Sequence, residues 1–112
     1  MKTDRNGYAP SIMQDDLSIC YRCGRRDRKL DRHEPFGGAY RAKSKHLGLW
    51  IMLCHVECHQ GPGGAHDNPW LNEQFRQDAQ RAAMRTYGWN IADFIREFGK
   101  NHLQEEHHER IP

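Results

Sequence analysis

The apolar residues in the first half of the chain predict a β-hairpin. The run LGLWIML at 47–53 is short, continuous and partly aromatic, which is typical of a buried strand. Upstream, LDRHEPF at 30–36 has the length of a strand and stops at Gly37-Gly38. We therefore predict two paired strands joined by a long, basic loop over 39–47.

The second half of the chain predicts two helices after a glycine-rich connection at 59–68. Asn68 suits the N-cap of a helix over 69–87, which a proline opens and in which apolar residues recur at spacings of three and four. A second helix begins at Asn90, and Gly99 fits its C-cap. Together with the hairpin, these elements predict a single small α+β domain in a chain of 112 residues.

The two ends are predicted to lie outside this domain, which then spans 17–104. Residues 1–16 are polar and contain glycine and proline, which predicts a flexible arm, and 105–112 predict a frayed tail. The chain contains neither an apolar run long enough to span a membrane nor the apolar core of a signal peptide. We therefore expect a cytoplasmic protein without a membrane partner.

The four cysteines form two pairs with the spacing of zinc ligands, Cys20-x2-Cys23 and Cys54-x3-Cys58. In a reducing compartment such cysteines are more often metal ligands than disulfides. We predict one structural zinc site that uses all four cysteines, and removal of the Zn²⁺ should unfold the domain. Two alternatives stay open: four unrelated thiols, or a site in which His55 or His59 replaces Cys58.

The net charge of the chain is only +2, but the charge is unevenly distributed. Residues 20–46 hold nine lysines and arginines against three acids, a local balance of +6. Such a block predicts a surface that binds a polyanion, and the alternative is a solvated charged loop. The predicted nucleic-acid contacts are Arg25, Arg26, Arg28, Lys29, Arg32, Arg41, Lys43 and Lys45.

Several short motifs resemble those of small phage-encoded HNH (ββα-metal, or His-Me finger) nuclease-like proteins. The matching segments are RHEPFGG at 32–38, GLWIMLC at 48–54, CH at 58–59, GAH at 64–66 and IREFGKN at 95–101. The resemblance covers residues 20–103 and implies a small zinc-stapled, treble-clef-like ββα-metal core with C-terminal helices. It also implies a phage-encoded protein in the cytoplasm of a bacterial host.

The resemblance implies a metal-dependent DNA endonuclease or nickase. In this chain His33 takes the place of the general base, since a histidine pKa lies near working pH. His59 takes the place of a catalytic ligand for a divalent ion such as Mg²⁺ or Mn²⁺, with His66 a second ligand or a phosphate contact. Glu34 is the alternative base or a further ligand. Because neighbouring strand residues point to opposite faces, we expect only one of His33 and Glu34 to face the site.

Two departures from the family pattern favour an alternative function. The middle Asn of the HNH motif has no counterpart, and Arg32 stands where the family has an acid before the histidine. The alternative is a non-catalytic, zinc-bound phage accessory protein. Such a protein would bind nucleic acid, or would bind a host protein and inhibit a host defence nuclease, as an anti-CRISPR does.

Overall fold

The computed structural model describes residues 2–103. They form a small α+β domain, as predicted, with a two-stranded antiparallel hairpin and three α-helices. The elements are β1 (Leu30–His33), α1 (Arg41–Leu47), β2 (Ile51–Cys54), α2 (Pro69–Tyr87) and α3 (Ile91–Phe98). A 3-10 turn (Gly38–Tyr40) precedes α1, and a π-helical turn (His55–Gln60) follows β2. The tail at 105–112, predicted to be frayed, lies outside the described residues.

The two strands pair as predicted, but both are shorter than the apolar pattern indicated. In the antiparallel register Leu30 lies opposite Cys54 and His33 lies opposite Ile51. β1 ends before Pro35, which has no N–H to donate to a ladder. This pairing brings the end of β2, which carries a cysteine, beside the start of β1.

The basic segment predicted to be a loop over 39–47 is largely the helix α1, so that prediction was wrong. Arginine, alanine and lysine favour helix formation, and Gly48 closes the helix in the left-handed conformation at φ 78°. Ser44 is fully buried, and its hydroxyl donates to the Phe36 carbonyl at 2.9 Å. This bond anchors α1 to the segment that follows β1.

The arm predicted to be flexible packs against the domain instead. The Ala9 N–H donates to the Lys45 carbonyl at 2.8 Å, and the Trp50 indole N–H donates to the Ala9 carbonyl at 2.8 Å. The Tyr8 ring meets Trp50 edge to face, with centroids 5.5 Å apart, and both are buried. The arm is ordered because burial of these rings offsets the entropy lost by the backbone.

The two C-terminal helices begin and end where their caps predicted. The Asn68 side chain accepts from the N–H of Leu71 at the start of α2. Asn90 and Asp93 form a reciprocal capping box at the start of α3, and Gly99 closes α3 at φ 83°. Within residues 2–103 no helix is long and apolar enough to cross a membrane.

The buried side chains form two clusters. The first surrounds the cysteines and contains Cys20, Ile51, Leu53, Cys54, Cys58, Ala65, Leu71 and Phe75. The second joins α3 to α2 and the hairpin through Phe36, Leu49, Ala79, Ala83, Phe94 and Phe98. Because α2 contributes side chains to both clusters, it holds the hairpin and α3 in place.

Candidate metal centre and histidine cleft

The four cysteines converge into one cluster. Their sulfur atoms all lie within 4.8 Å of one another, and no disulfide joins them. Cys54 Sγ lies 3.4 Å from Cys23 Sγ and 3.5 Å from Cys58 Sγ. Such a cluster can hold a metal ion, and four thiolates are a donor set typical of structural zinc. The alternative of four unrelated thiols is therefore wrong for this structure.

Neither neighbouring histidine replaces Cys58 in this cluster. Cys58 Sγ is a member of the sulfur group, whereas His55 and His59 both turn a ring nitrogen towards the Asp31 carboxylate. The π-helical turn separates the two sets because consecutive residues in a turn project in different directions. Cys58 therefore belongs to the sulfur cluster, whereas His55 and His59 lie outside it.

The environment of the sulfur cluster favours a bound cation. Although burial raises the pKa of the Cys20 thiol, backbone N–H groups near it, including that of Cys23, lower it to about 6. Burial and the neighbouring sulfurs raise the pKa of Cys54. Four thiols this close cannot all ionise without a positive charge among them. A metal ion would supply that charge.

Three histidines from different segments converge beside this cluster. His33 ends β1, His59 lies in the π-helical turn and His66 lies in the glycine-rich connection. One ring nitrogen from each lies within 4.8 Å of those of the other two, and His59 Nε2 is 3.0 Å from His66 Nε2. Gly64 allows this approach because a Cβ there would lie 2.9 Å from the backbone of His59. His33 and His59 are buried, whereas His66 is exposed.

Asn72, on α2, determines which nitrogen of His33 carries the proton. Its Nδ2 donates to the Pro35 carbonyl at 3.3 Å, so its Oδ1 faces His33 Nε2 at 2.7 Å. Because Oδ1 is an acceptor, His33 Nε2 carries the hydrogen and Nδ1 carries the lone pair. Burial lowers the pKa of His33 to about 4, so the ring is neutral at physiological pH. Sequence reasoning missed Asn72, which is 39 residues from His33.

Asp31 orients His59, and sequence reasoning missed it as well. Its Oδ2 accepts from Nδ1 of His59 at 2.9 Å and from Nδ1 of His55 at 2.5 Å. Burial raises the pKa of Asp31, but the hydrogen bonds from His59 and His55 lower it by more, so the group is a carboxylate. With Nδ1 committed, Nε2 of His59 carries the lone pair that faces His66. The sequence did hold a signal for Asp31: the spacing Asp31-x-His33 puts both side chains on one face of a strand.

Both His33 and Glu34 line the same cleft, contrary to the prediction that only one would. Strand alternation does not extend to Glu34, because β1 ends at His33. The Glu34 carboxylate is already engaged: it accepts from the Tyr8 hydroxyl at 2.5 Å and from Arg41 Nε at 2.8 Å. Glu34 therefore holds in place Arg41 of the cleft and Tyr8 of the N-terminal arm.

The cleft over the histidines has a volume of about 380 Å³. Its lining combines the three histidines with two guanidinium groups and two glycines, and comprises Arg32, His33, Glu34, Gly37, Gly38, Arg41, His59, Gln60 and His66. This volume lies at the small end of the range for ligand sites, about 300–1,000 Å³. The chemistry of the lining suits an anion that also coordinates a metal ion.

Most of the predicted nucleic-acid contacts are engaged in ion pairs within the chain. Six of the eight lie within 4.0 Å of a carboxylate: Arg25 with Asp27, Arg26 with Asp16, Arg28 with Glu57, Arg32 with Asp4, Arg41 with Glu34, and Lys43 with Glu97. The Lys45 ammonium lies 4.6 Å from the centre of the Tyr8 ring, and Lys29 is exposed. Exposed ion pairs contribute only about 0–1 kcal/mol each, so a phosphate can compete for these cations. The structure places Arg32 and Arg41 at the histidine cleft.

No protein-family model matches the chain, and no curated protein or solved structure is significantly similar to it. The function is therefore inferred from the geometry of the sulfur cluster, the histidines and the cleft.

Proposed function

We propose that this protein is a metal-dependent DNA endonuclease or nickase of the HNH type, encoded by a phage and acting in the bacterial cytoplasm. The observation that carries the proposal is the convergence of His33, His59 and His66 in a cleft with two arginines at its rim. The proposal includes a structural Zn²⁺ at the four cysteines and a treble-clef-like ββα-metal core. The hairpin, the sulfur cluster at its end and the following helix α2 support that assignment.

The residues of the cleft fit the hydrolysis of a phosphodiester bond. A divalent ion, when bound, would stabilise the charge on the phosphate and on the leaving oxygen. His59 and His66 would hold that ion. The neutral His33 would accept a proton from the attacking water as the bond to phosphorus forms and the bond to the leaving oxygen breaks. Arg41 would turn from Glu34 to the phosphate as a charge-assisted donor, and the leaving oxygen would take a proton from solvent.

The donor set indicates which metal ions to test. The converging atoms are imidazole nitrogens, and the Asp31 carboxylate is bonded to Nδ1 of His59. The Glu34 carboxylate in the cleft is bonded to Tyr8 and Arg41. Imidazole favours transition metals, whereas Mg²⁺ favours oxygen ligands. We therefore expect higher activity with Ni²⁺ than with Mg²⁺.

Cleavage of supercoiled plasmid tests the proposal directly. The zinc-loaded protein is assayed with Ni²⁺, Mn²⁺ and Mg²⁺ against a chelator, beside His33→Ala and His66→Ala. The matched control is His46→Ala, which removes an exposed histidine of α1 outside the cleft. Nicking should depend on metal, disappear in the first two variants and persist in the control. If the folded, zinc-loaded protein cleaves with none of these metals, the nuclease proposal is wrong.

A second proposed function is a non-catalytic zinc scaffold that inhibits a host defence nuclease. The observation that favours it is the pairing of six predicted DNA-contacting cations with acids of the same chain. In particular, Arg41 of the cleft is held by the carboxylate of Glu34. A folded protein that neither cleaves nor binds DNA, but that blocks cleavage by a purified host nuclease, would support this function.

A further inference from the structure

A second opening lies beside the histidine cleft, between the 3-10 turn, α2 and the end of α3. Its volume is about 300 Å³. Gly37 lines both openings, so the two are neighbours. Gly37 has an extended backbone at φ −94°, and a Cβ there would meet no atom within 4 Å. No side chain therefore stands between the two openings at Gly37.

Aromatic rings form one wall of this second opening. The Phe98 ring lies 4.8 Å from Phe36 and 5.5 Å from Tyr40 between centroids. The two phenylalanines are buried, but Tyr40 is 37% exposed. Tyr40 lies over Gly99, where a Cβ would come within 2.5 Å of the tyrosine hydroxyl. Because Gly99 has no side chain, the Tyr40 ring can pack over the end of α3 while part of the ring stays exposed.

The polar lining of this opening is cationic. Arg76 is held in place because its Nε donates to the Pro35 carbonyl at 2.9 Å. The acid nearest to it, Glu73, is shared between Arg76 at 3.5 Å and His102 at 2.7 Å. The Lys100 ammonium is exposed and has no hydrogen bond or ion pair with any residue in 2–103. An aromatic wall beside these cations matches a ligand that has both a flat ring and a negative charge.

We propose that this second opening binds the base of an unpaired nucleotide whose neighbouring phosphodiester lies in the histidine cleft. The base stacks on Tyr40, and Lys100 and Arg76 attract the phosphate of the same nucleotide. A paired base lies inside the stack and cannot reach a side opening, so the site selects single-stranded or frayed strands. The inference rests on the proposed function in one respect, the placement of the phosphate in the histidine cleft.

Binding of a short strand with 2-aminopurine at one position tests the proposal without cleavage. The zinc-loaded protein is titrated without added divalent metal, and the fluorescence of the analogue and the affinity are measured. We expect stacking to quench the fluorescence, and Tyr40→Ala to abolish the quenching and weaken binding by about 5- to 100-fold. Tyr40→Phe should retain both. The control Trp70→Ala, which removes an aromatic side chain 68% exposed outside both openings, should leave both unchanged.

Two further variants test the charge and the connection. Lys100→Glu should weaken binding and reduce the salt dependence by about one counterion. Lys2→Glu makes the same charge change outside both linings and should have a smaller effect. Gly37→Leu places a side chain where the two openings meet, without backbone strain, and should weaken binding of the strand more than binding of a mononucleotide.

The outcomes separate this proposal from the nuclease proposal. Equal binding of duplex and single strand, with quenching unchanged in Tyr40→Ala, would overturn the nucleotide site even if the protein cleaves DNA. Quenching that depends on Tyr40, in a protein that cleaves no DNA, would support the nucleotide site and contradict the nuclease proposal. The same titration with an RNA strand of the same sequence tests whether the sugar matters. Quenching with both RNA and DNA would assign the site to any unpaired nucleotide, and quenching with DNA alone would assign it to DNA.

Discussion

Replacing Asp31 by Asn should weaken metal binding at the histidines while the domain stays folded. The carboxylate oxygen of Asp31 accepts from both His59 and His55, at 2.9 and 2.5 Å. Both bonds go to the single oxygen Oδ2, and an amide oxygen in that place can accept both but carries no charge. The amide can also turn over, and its NH₂ group then faces both rings with a donor. His59 then loses its fixed tautomer in a fraction of the molecules, and its Nε2 lone pair is no longer always available.

The structure sets the size of this effect. The Asp31 side chain is 18% exposed, so solvent replaces little of the lost bond. Loss of a partner that orients a metal-binding histidine costs about 10- to 100-fold in metal affinity. That range corresponds to about 1.4–2.8 kcal/mol, which agrees with the cost of leaving one buried polar group unpaired, about 1–3 kcal/mol.

Calorimetric titration of the zinc-loaded protein with Ni²⁺ measures this change. Asp15→Asn makes the same chemical substitution at an exposed position and should bind Ni²⁺ as the parent does. His55→Ala removes a half-exposed partner but leaves the bond between Asp31 and His59, so its effect should stay within about threefold. Parental Ni²⁺ affinity in a folded Asp31→Asn variant would show that Asp31 does not orient the ligand.

Three further changes test the fold and the charge state of the site. Cys58→Ser, or removal of zinc by a strong chelator, should unfold the domain, as the loss of helical circular dichroism would show; a retained spectrum without zinc would mean that the cluster is not structural. Phe94→Ala should lower the free energy of unfolding, measured by urea titration, by about 3–5 kcal/mol, because removal of this fully buried ring leaves a cavity beside Phe36 and Phe98. A loss below about 1 kcal/mol would contradict the packing described. His33 is neutral when folded, with a pKa of about 4 against an ordinary 6.5, so its contribution to stability is complete above pH 6.5 and is lost as the pH falls towards 4. His33→Gln should flatten that part of the stability profile at constant zinc content, and an unchanged slope would assign the pH dependence to other groups.

Local signals in the sequence predicted several parts of the fold and of the candidate site. Asn68, Asn90 and Gly99 predicted the helix ends because a cap is satisfied by residues within four positions of it. The spacing of the cysteines predicted their cluster, since two residues between ligands suit one turn of backbone. The apolar run before Cys54 predicted that a strand would lead into the second pair. The clustering of His33, His59 and His66 came from the family resemblance, and their chemical roles stay predictions.

Contacts between distant segments were decided only by the tertiary structure. The polar sequence of the arm does not show that Tyr8 packs on Trp50, 42 residues away, because burial depends on the partner surface. The tautomer of His33 depends on Asn72, and the two roles of Glu34 depend on where β1 ends. Sequence spacing determines which donors can share a turn or a strand face. Which nitrogen carries the proton, which cation is already paired and which ring stays exposed depend on neighbours that only folding brings together.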